Sequence, residues 1–173
     1  MGLLLLSGLI LASTIPPTQS AVASAGSLLD NQAAACKTSS SKWQNSSIPS
    51  QTGTFTVTFD ATPNQAKING VTGLSAKPVT AFTGLAAITR FNEQGFIDAR
   101  NGSTYQAATQ IPYKVGVRYH FRLVIDVPHH TYDIFVTPAN GTEKVIGTAF
   151  AFRTEPRRIK QAFRARALPL GRG

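Results

Sequence analysis

Residues 119–137 constrain this chain more than any other stretch. Tyr119-His120-Phe121-Arg122-Leu123-Val124-Ile125-Asp126-Val127 is followed by Pro128-His129-His130 and then by Thr131-Tyr132-Asp133-Ile134-Phe135-Val136-Thr137. Successive side chains of a strand point to opposite faces. Tyr119, Phe121, Leu123 and Ile125 therefore share one face, with His120, Arg122 and Asp126 on the other. In the second run Tyr132, Ile134 and Val136 lie opposite Asp133 and Phe135. Two such runs around a tight turn predict an antiparallel hairpin with one dry face, because a slip of one residue would turn the whole apolar set toward water.

The same period recurs. Thr54-Phe55-Thr56-Val57-Thr58-Phe59-Asp60 alternates strictly and ends at Ala61-Thr62-Pro63-Asn64. Lys67 to Leu74 is a weaker segment, and Phe82 to Phe91 an apolar run closed by Asn92-Glu93-Gln94-Gly95. Phe96 to Arg100 returns as a short hairpin partner before Asn101-Gly102, and Asn140-Gly141 turns the chain into a last run, Lys144 to Phe152. No 3.6-residue period persists beyond two turns. About seven strands are expected between Trp43 and Glu155, with no room for crossover helices. The expected class is all-β, an antiparallel two-sheet sandwich of the jelly-roll kind. Composition agrees: 42% apolar and 14% charged residues exclude a disordered chain, 14 Gly and 10 Pro argue against a helical bundle, and 173 residues hold one core.

The first 42 residues read differently. Leu3 to Ala12 is a ten-residue apolar run, short of the roughly 20 that a spanning helix needs. Pro16 and Pro17 break it and Ala23-Ser24-Ala25 offers a small-x-small cleavage pattern, so residues 1–25 are expected to be a signal peptide and the protein to be secreted or extracellular. The absence of Lys or Arg before the run is atypical. No second run reaches spanning length, so no membrane span is expected. Residues 26–42 read as a flexible linker. Within it Cys36, the only cysteine, points to an intermolecular bond or a partner missing from the chain.

Charge is concentrated at the other end. The formal net charge is +9, but Arg157, Arg158, Lys160, Arg164, Arg166 and Arg172 lie in residues 156–173, which hold no acid; eleven basic against eight acidic residues leave +3 elsewhere. Phe163 is the only aromatic residue in this basic tail, and no groove-reading element accompanies it, so no nucleic-acid partner is expected.

The hairpin pattern Tyr-x-Phe-x-Leu-Val-x-Asp, a short turn, then Thr-Tyr-x-Ile-x-Val resembles the central hairpin of the concanavalin A-like (laminin-G-like) jelly rolls. Trp43-Gln44-Asn45, Gln51-Thr52-Gly53-Thr54-Phe55, Phe59-Asp60-Ala61-Thr62-Pro63, Arg90-Phe91-Asn92, Ile97-Asp98-Ala99-Arg100-Asn101-Gly102 and Phe152-Arg153-Thr154-Glu155 are similar to phrases of secreted bacterial modules of that kind. The resemblance covers about residues 43–155. It implies the fold more than an activity, because this fold carries lectins, hydrolases, lyases and adhesion modules. Such modules continue beyond Phe-Arg-Thr-Glu into a further strand. The resemblance therefore implies that residues 156–173 are foreign to the module, as from an out-of-frame reading of coding sequence, and that the sandwich lacks its last strand.

The chemistry-bearing residues narrow the function. His129 and His130 are adjacent in a turn, and His120 lies some nine residues up the strand, roughly 30 Å at about 3.3 Å per residue, so zinc is not expected. Asp60, Asn92, Glu93, Asp98 and Asn101 are the oxygens a calcium ion would use, without a calcium-loop spacing; no other cofactor is expected. The eight acids show no paired arrangement on one strand face of the sort glycoside hydrolysis needs. Arg153-Thr154-Glu155, Gln110-Ile111 and Tyr113-Lys114-Val115-Gly116-Val117 echo alginate-lyase phrases, but in the wrong order and with Pro112 where a histidine belongs. Carbohydrate binding asks only for an aromatic platform with planar polar side chains around it. The candidates are Tyr105 and Tyr113, expected in loops, with Arg90, Asp98, Arg100, Asn101 and His120 on polar faces or turns. Each has a plainer reading: the arginines can pair with Asp98 or Glu93 across a surface hairpin, the tyrosines can cap the core, and Trp43 fits an N-terminal core plug better than a sugar platform. The expected function is a secreted noncatalytic module that binds or adheres to extracellular glycan. The alternatives are a truncated polysaccharide-active enzyme and a structural extracellular protein.

Overall fold

The computed structural model describes residues 43–156 and 158–164. The segments expected to be a signal peptide and a linker, Cys36 among them, and residues 165–173 of the tail lie outside the described residues. Ten strands form two antiparallel sheets. The first holds β1 (Gln44–Gln51), β10 (Ile159–Arg164), β3 (Gly70–Ser75), β4 (Ala87–Phe91), β5 (Phe96–Asn101) and β6 (Thr104–Pro112), in that order. The second runs β2 (Thr54–Ala61), β7 (Tyr119–Asp126), β8 (Thr131–Pro138), β9 (Lys144–Ala151). One 3₁₀ turn, Phe82–Gly84, is the only helix among the described residues. The antiparallel two-sheet sandwich is as expected.

The predicted hairpin is β7 and β8. Phe121 faces Val136, Leu123 faces Ile134 and Ile125 faces Tyr132 across it, and all six are buried in the inter-sheet core. Val127 to His130 make the turn, with His130 in the left-handed region at φ 54°. β2 adds Phe55, Val57 and Phe59 to the same layer, Phe59 stacking on Phe121 with ring centroids 4.9 Å apart. From the opposite sheet come Leu74, Ala87, Phe91, Ile97, Ala99 and Ile111. Tyr132 crosses the core: its hydroxyl accepts from the Ile88 amide at 3.3 Å and stands within donating distance of the Ile88 and Arg100 carbonyls. Buried backbone of one sheet is thereby fastened by a side chain of the other, satisfying polar groups that would otherwise be costly.

Two expectations are corrected. Nine strands, not seven, lie between Trp43 and Glu155, the additional ones including β1 and β6, the two edges of the larger sheet. Edge strands need no apolar alternation and tolerate proline, as Gln44-Asn45-Ser46-Ser47-Ile48-Pro49-Ser50-Gln51 shows. The sandwich also does not stop at Glu155 for want of a strand. β10 pairs with β1 on one side and β3 on the other, and Ile159 is fully buried. Its basic residues had hidden it, because charges on one face of a strand do not prevent the other from packing.

Candidate functional site

Alternation divides the larger sheet into two faces. Ala87, Thr89 and Phe91 of β4 point between the sheets, whereas Ile88 and Arg90 point away. On this outer face Val71 and Ile88 form a second small core with Val79 and Leu85, and Trp43, Phe82 and Tyr105 pack against it. The cover is the β3–β4 connection, residues 76–86, which folds back across the sheet. Gly73 permits that approach: a β-carbon there would stand 2.5 Å from the Ala87 carbonyl oxygen and 3.2 Å from Leu85 Cδ1. Asn45 of β1 clasps the connection at both ends of one residue, its Oδ1 accepting from the Val79 amide at 2.9 Å and its Nδ2 donating to the Val79 carbonyl at 3.2 Å.

This fastening opens a cleft of about 470 Å³ lined by Trp43, Asn69, Thr80, Phe82, Arg90, Tyr105 and Arg153, among others. Trp43 meets Phe82 edge to face with centroids 4.9 Å apart. Arg153 follows β9 and is held by its own amide, which donates to the Ala86 carbonyl at 2.8 Å, and by Thr154 Oγ1, which donates to the Leu85 carbonyl at 3.2 Å. A second cleft of about 310 Å³ adjoins the first at Tyr105 and holds Asn92, Gln94, Asp98, Gln106 and Gln110.

The charges of the site are arranged around Tyr105. The Arg90 guanidinium lies 3.5 Å from its ring centroid and that of Arg100 5.0 Å away. Arg90 is held by Asp98 through two hydrogen bonds, and Asn92 Nδ2 donates to the same carboxylate at 2.8 Å. Burial works against the Arg90 charge, but the Asp98 hydrogen bond and charge outweigh it and hold its pKa above the ordinary arginine value. Burial likewise pushes the Tyr105 hydroxyl up, despite the opposing charges of Arg90, Arg100 and Arg153. Arg100 donates to the Gly102 carbonyl at 2.9 Å. Neither Arg100 nor Arg153 meets a carboxylate among the described residues, and no acid lines the first cleft.

The structure thus gathers Arg90, Asp98, Arg100 and Tyr105 and separates the other three candidates. Tyr105 lies in β6, not in a loop. Tyr113 is buried; its hydroxyl accepts from the Ile68 amide at 2.8 Å and donates to the Asn92 carbonyl at 2.9 Å. Asn101 staples the two sheets at the β5–β6 turn, its Oδ1 accepting from the Ala151 amide at 2.9 Å. His120 stands on the outer face of the smaller sheet against Asp60, Nδ1 to Oδ1 2.8 Å. His129 pairs with Asp126 instead, and no cluster of three or more His, Cys, Asp or Glu side chains is present among the described residues. The pairing of Arg90 with Asp98 is no loose surface contact: the two side chains are 18% and 11% exposed. Sequence reasoning missed Phe82, Thr80, Asn69 and Arg153, and weighed Trp43 as a plug. The signal available was Phe152-Arg153-Thr154-Glu155, already singled out as a phrase, in which Arg153 alone is cationic.

No family model matches the chain. A gellan lyase from a Bacillus species is 35% identical over 100 residues, which are 56% of this chain and 4% of that protein. The chain therefore spans a small fraction of the curated relative it matches. Among solved structures, a sialidase superposes with a TM-score of 0.53 at 17% identity, over 74% of this chain and 11% of the sialidase, a likeness of fold. A peanut lectin solved with a nine-residue peptide superposes with a TM-score of 0.38 at 12% identity, over 65% of this chain and 63% of the lectin.

Proposed function

We propose that this protein is an exported, noncatalytic glycan-binding module whose site is the groove formed by the two clefts on either side of Tyr105. The observation that carries the reading is the lining of that groove. Trp43, Phe82 and Tyr105 supply aromatic surface for sugar C–H faces, and Asn69, Thr80, Arg90, Arg153, Gln106 and Gln110 supply hydrogen-bonding groups for hydroxyls. The open cleft suits a polymer passing through rather than a small molecule enclosed.

The same lining argues against chemistry. Among the described residues the first cleft holds neither the two carboxyl groups that hydrolysis requires nor a histidine, and a tyrosine acting as base needs its pKa lowered toward neutrality, whereas burial moves Tyr105 the other way. The match to part of a gellan lyase supports a module carried by, or descended from, a polysaccharide-active protein. The apolar run at Leu3–Ala12 supports export.

Screening the full chain on a polysaccharide panel tests the reading. Binding to an extracellular polysaccharide is expected, weakened about tenfold or more by Tyr105→Ala and by Trp43→Ala with the thermal transition still cooperative. Absence of binding across the panel, or binding untouched by both substitutions, overturns it.

A further inference from the structure

The first cleft is cationic in a way that sugar hydroxyls do not require. Of the arginines around Tyr105, Arg90 is neutralised: Asp98 takes its Nε at 2.8 Å and its Nη2 at 2.7 Å. Arg153 lines the same cleft, and among the described residues it has no carboxylate partner and the cleft wall contains no Asp or Glu. Arg100 adds a second unneutralised guanidinium 5.0 Å from the Tyr105 ring centroid. Its Nε is tied to the Gly102 carbonyl, so its position is held by the β5–β6 turn. Arg122 and Arg118, on the other sheet's side, do have acidic partners: Arg122 is paired with Glu143 at 2.6 Å and Arg118 stands 3.7 Å from Asp60. Unpaired positive charge thus stands beside the aromatic wall, while the adjoining cleft beyond Tyr105 presents the amides of Asn92, Gln94, Gln106 and Gln110 and the Asp98 carboxylate between apolar side chains, with no cation among the described residues.

We infer that the bound glycan carries carboxylates, so that a uronic-acid residue occupies the first cleft with its ring against Trp43 or Tyr105 and its carboxylate on Arg153, and a neutral sugar occupies the adjoining cleft, where Asp98 disfavours a second carboxylate. This rests on the glycan-binding reading above. The planar guanidinium fork matches a carboxylate through two parallel hydrogen bonds, and a carboxylate at the edge of a sugar ring reaches a cation beside an aromatic wall without lifting the ring from it. Hydroxyls alone would leave Arg153 desolvated and unneutralised on binding, an outcome that costs affinity.

The test uses the full chain at about 0.15 M NaCl, where long-range attraction to the basic tail is screened. Galacturonate, glucuronate and mannuronate–guluronate polymers are each paired with their carboxyl-reduced form, with dextran sulfate as a second anion. The expected result is binding to at least one uronate polymer, weakened about tenfold or more by carboxyl reduction and equally by Arg153→Gln. Lys114→Gln, the same charge change at an exposed site away from the cleft, leaves binding unchanged. Equal binding of native and reduced polymers, still lost in Tyr105→Ala, overturns the carboxylate and leaves the glycan site standing. Equal weakening by Arg153→Gln and Lys114→Gln reduces the effect to net charge and overturns it too. Preference for dextran sulfate through Arg153 assigns the anion to a sulfate ester instead. Failure of every polymer, reduced or native, sinks both readings together.

Discussion

Arg90 and Asp98, opposite each other on β4 and β5, meet fork to fork, Nε to Oδ1 at 2.8 Å and Nη2 to Oδ2 at 2.7 Å. Arg90 lines the first cleft and Asp98 the second, and the Arg90 guanidinium lies over the ring of Tyr105, which both clefts share. Because both side chains are largely removed from water, its loss matters more than that of the equally bidentate but exposed Arg122–Glu143 pair. Asp98→Asn keeps the volume, leaves Arg90 without its counter-charge and is expected to lower stability by about 2 kcal/mol, below the range for fully buried pairs. Urea unfolding of Asp98→Asn beside Glu143→Gln checks the order: an equal loss in the two variants would contradict it.

Tyr132 ties the two sheets through one hydroxyl. Tyr132→Phe removes the acceptor of the Ile88 amide and the single proton that the Ile88 and Arg100 carbonyls share, and is expected to cost about 1–3 kcal/mol with the aromatic packing on Phe150 and Phe152 retained. Denaturant titration reads this directly.

The same hydroxyl makes stability fall in alkali. Burial pushes the Tyr132, Tyr105 and Tyr113 hydroxyls above the ordinary tyrosine value, so the folded chain keeps these protons to higher pH than the unfolded one. Their contribution is fully present below about pH 10 and is lost as pH rises above it, where the unfolded chain ionises first. Unfolding midpoints from pH 8 to 11 should decline at the top of that range, and less steeply in Tyr132→Phe; parallel declines would remove Tyr132 as a cause.

Ending the chain after Glu155 removes β10 and opens the larger sheet between β1 and β3. Two unpaired edges and the pocket left by Ile159 then face water. Aggregation or loss of the cooperative transition is expected in size-exclusion chromatography and calorimetry. A monomeric, fully cooperative 1–155 product would show that β10 is dispensable.

Gly73→Ala probes the covering connection. The new methyl would press on the Ala87 carbonyl of the paired strand, which cannot move without breaking the ladder, and then on Leu85. A loss of about 1–3 kcal/mol is expected, with weaker glycan binding as residues 76–86 shift. Gly53→Ala, with open space around it, serves as the neutral comparison in thermal unfolding.

Much of the architecture was legible in the chain because burial between two sheets imposes a local, period-two signature. Phe55 through Phe59, Tyr119 through Ile125 and Tyr132 through Val136 announced their inward faces with no knowledge of their partners. β1, polar from Gln44 to Ser47 and interrupted by Pro49, carries no such signature, and β10 was masked by the basic residues around it. At the site, Arg90, Asp98, Arg100 and Tyr105 lie within one hairpin region, so their types and proximity marked them. Tyr113, Asn101 and His120 carried equally suitable groups but were claimed by core, turn and a neighbouring strand.

The sequence by itself determined that the chain is all-β, which residues its central hairpin buries and where the turns at Asn92–Gly95, Asn101-Gly102, Pro128–His130 and Asn140-Gly141 fall, because each depends on neighbours a few positions away. Only the tertiary structure decided that Trp43, Tyr105 and Arg153 share a cleft and that β10 closes the sheet between β1 and β3. Those arrangements depend on which distant segments pair and on how residues 76–86 fold across the outer face, and no local pattern of side chains encodes a distance between points so far apart along the chain.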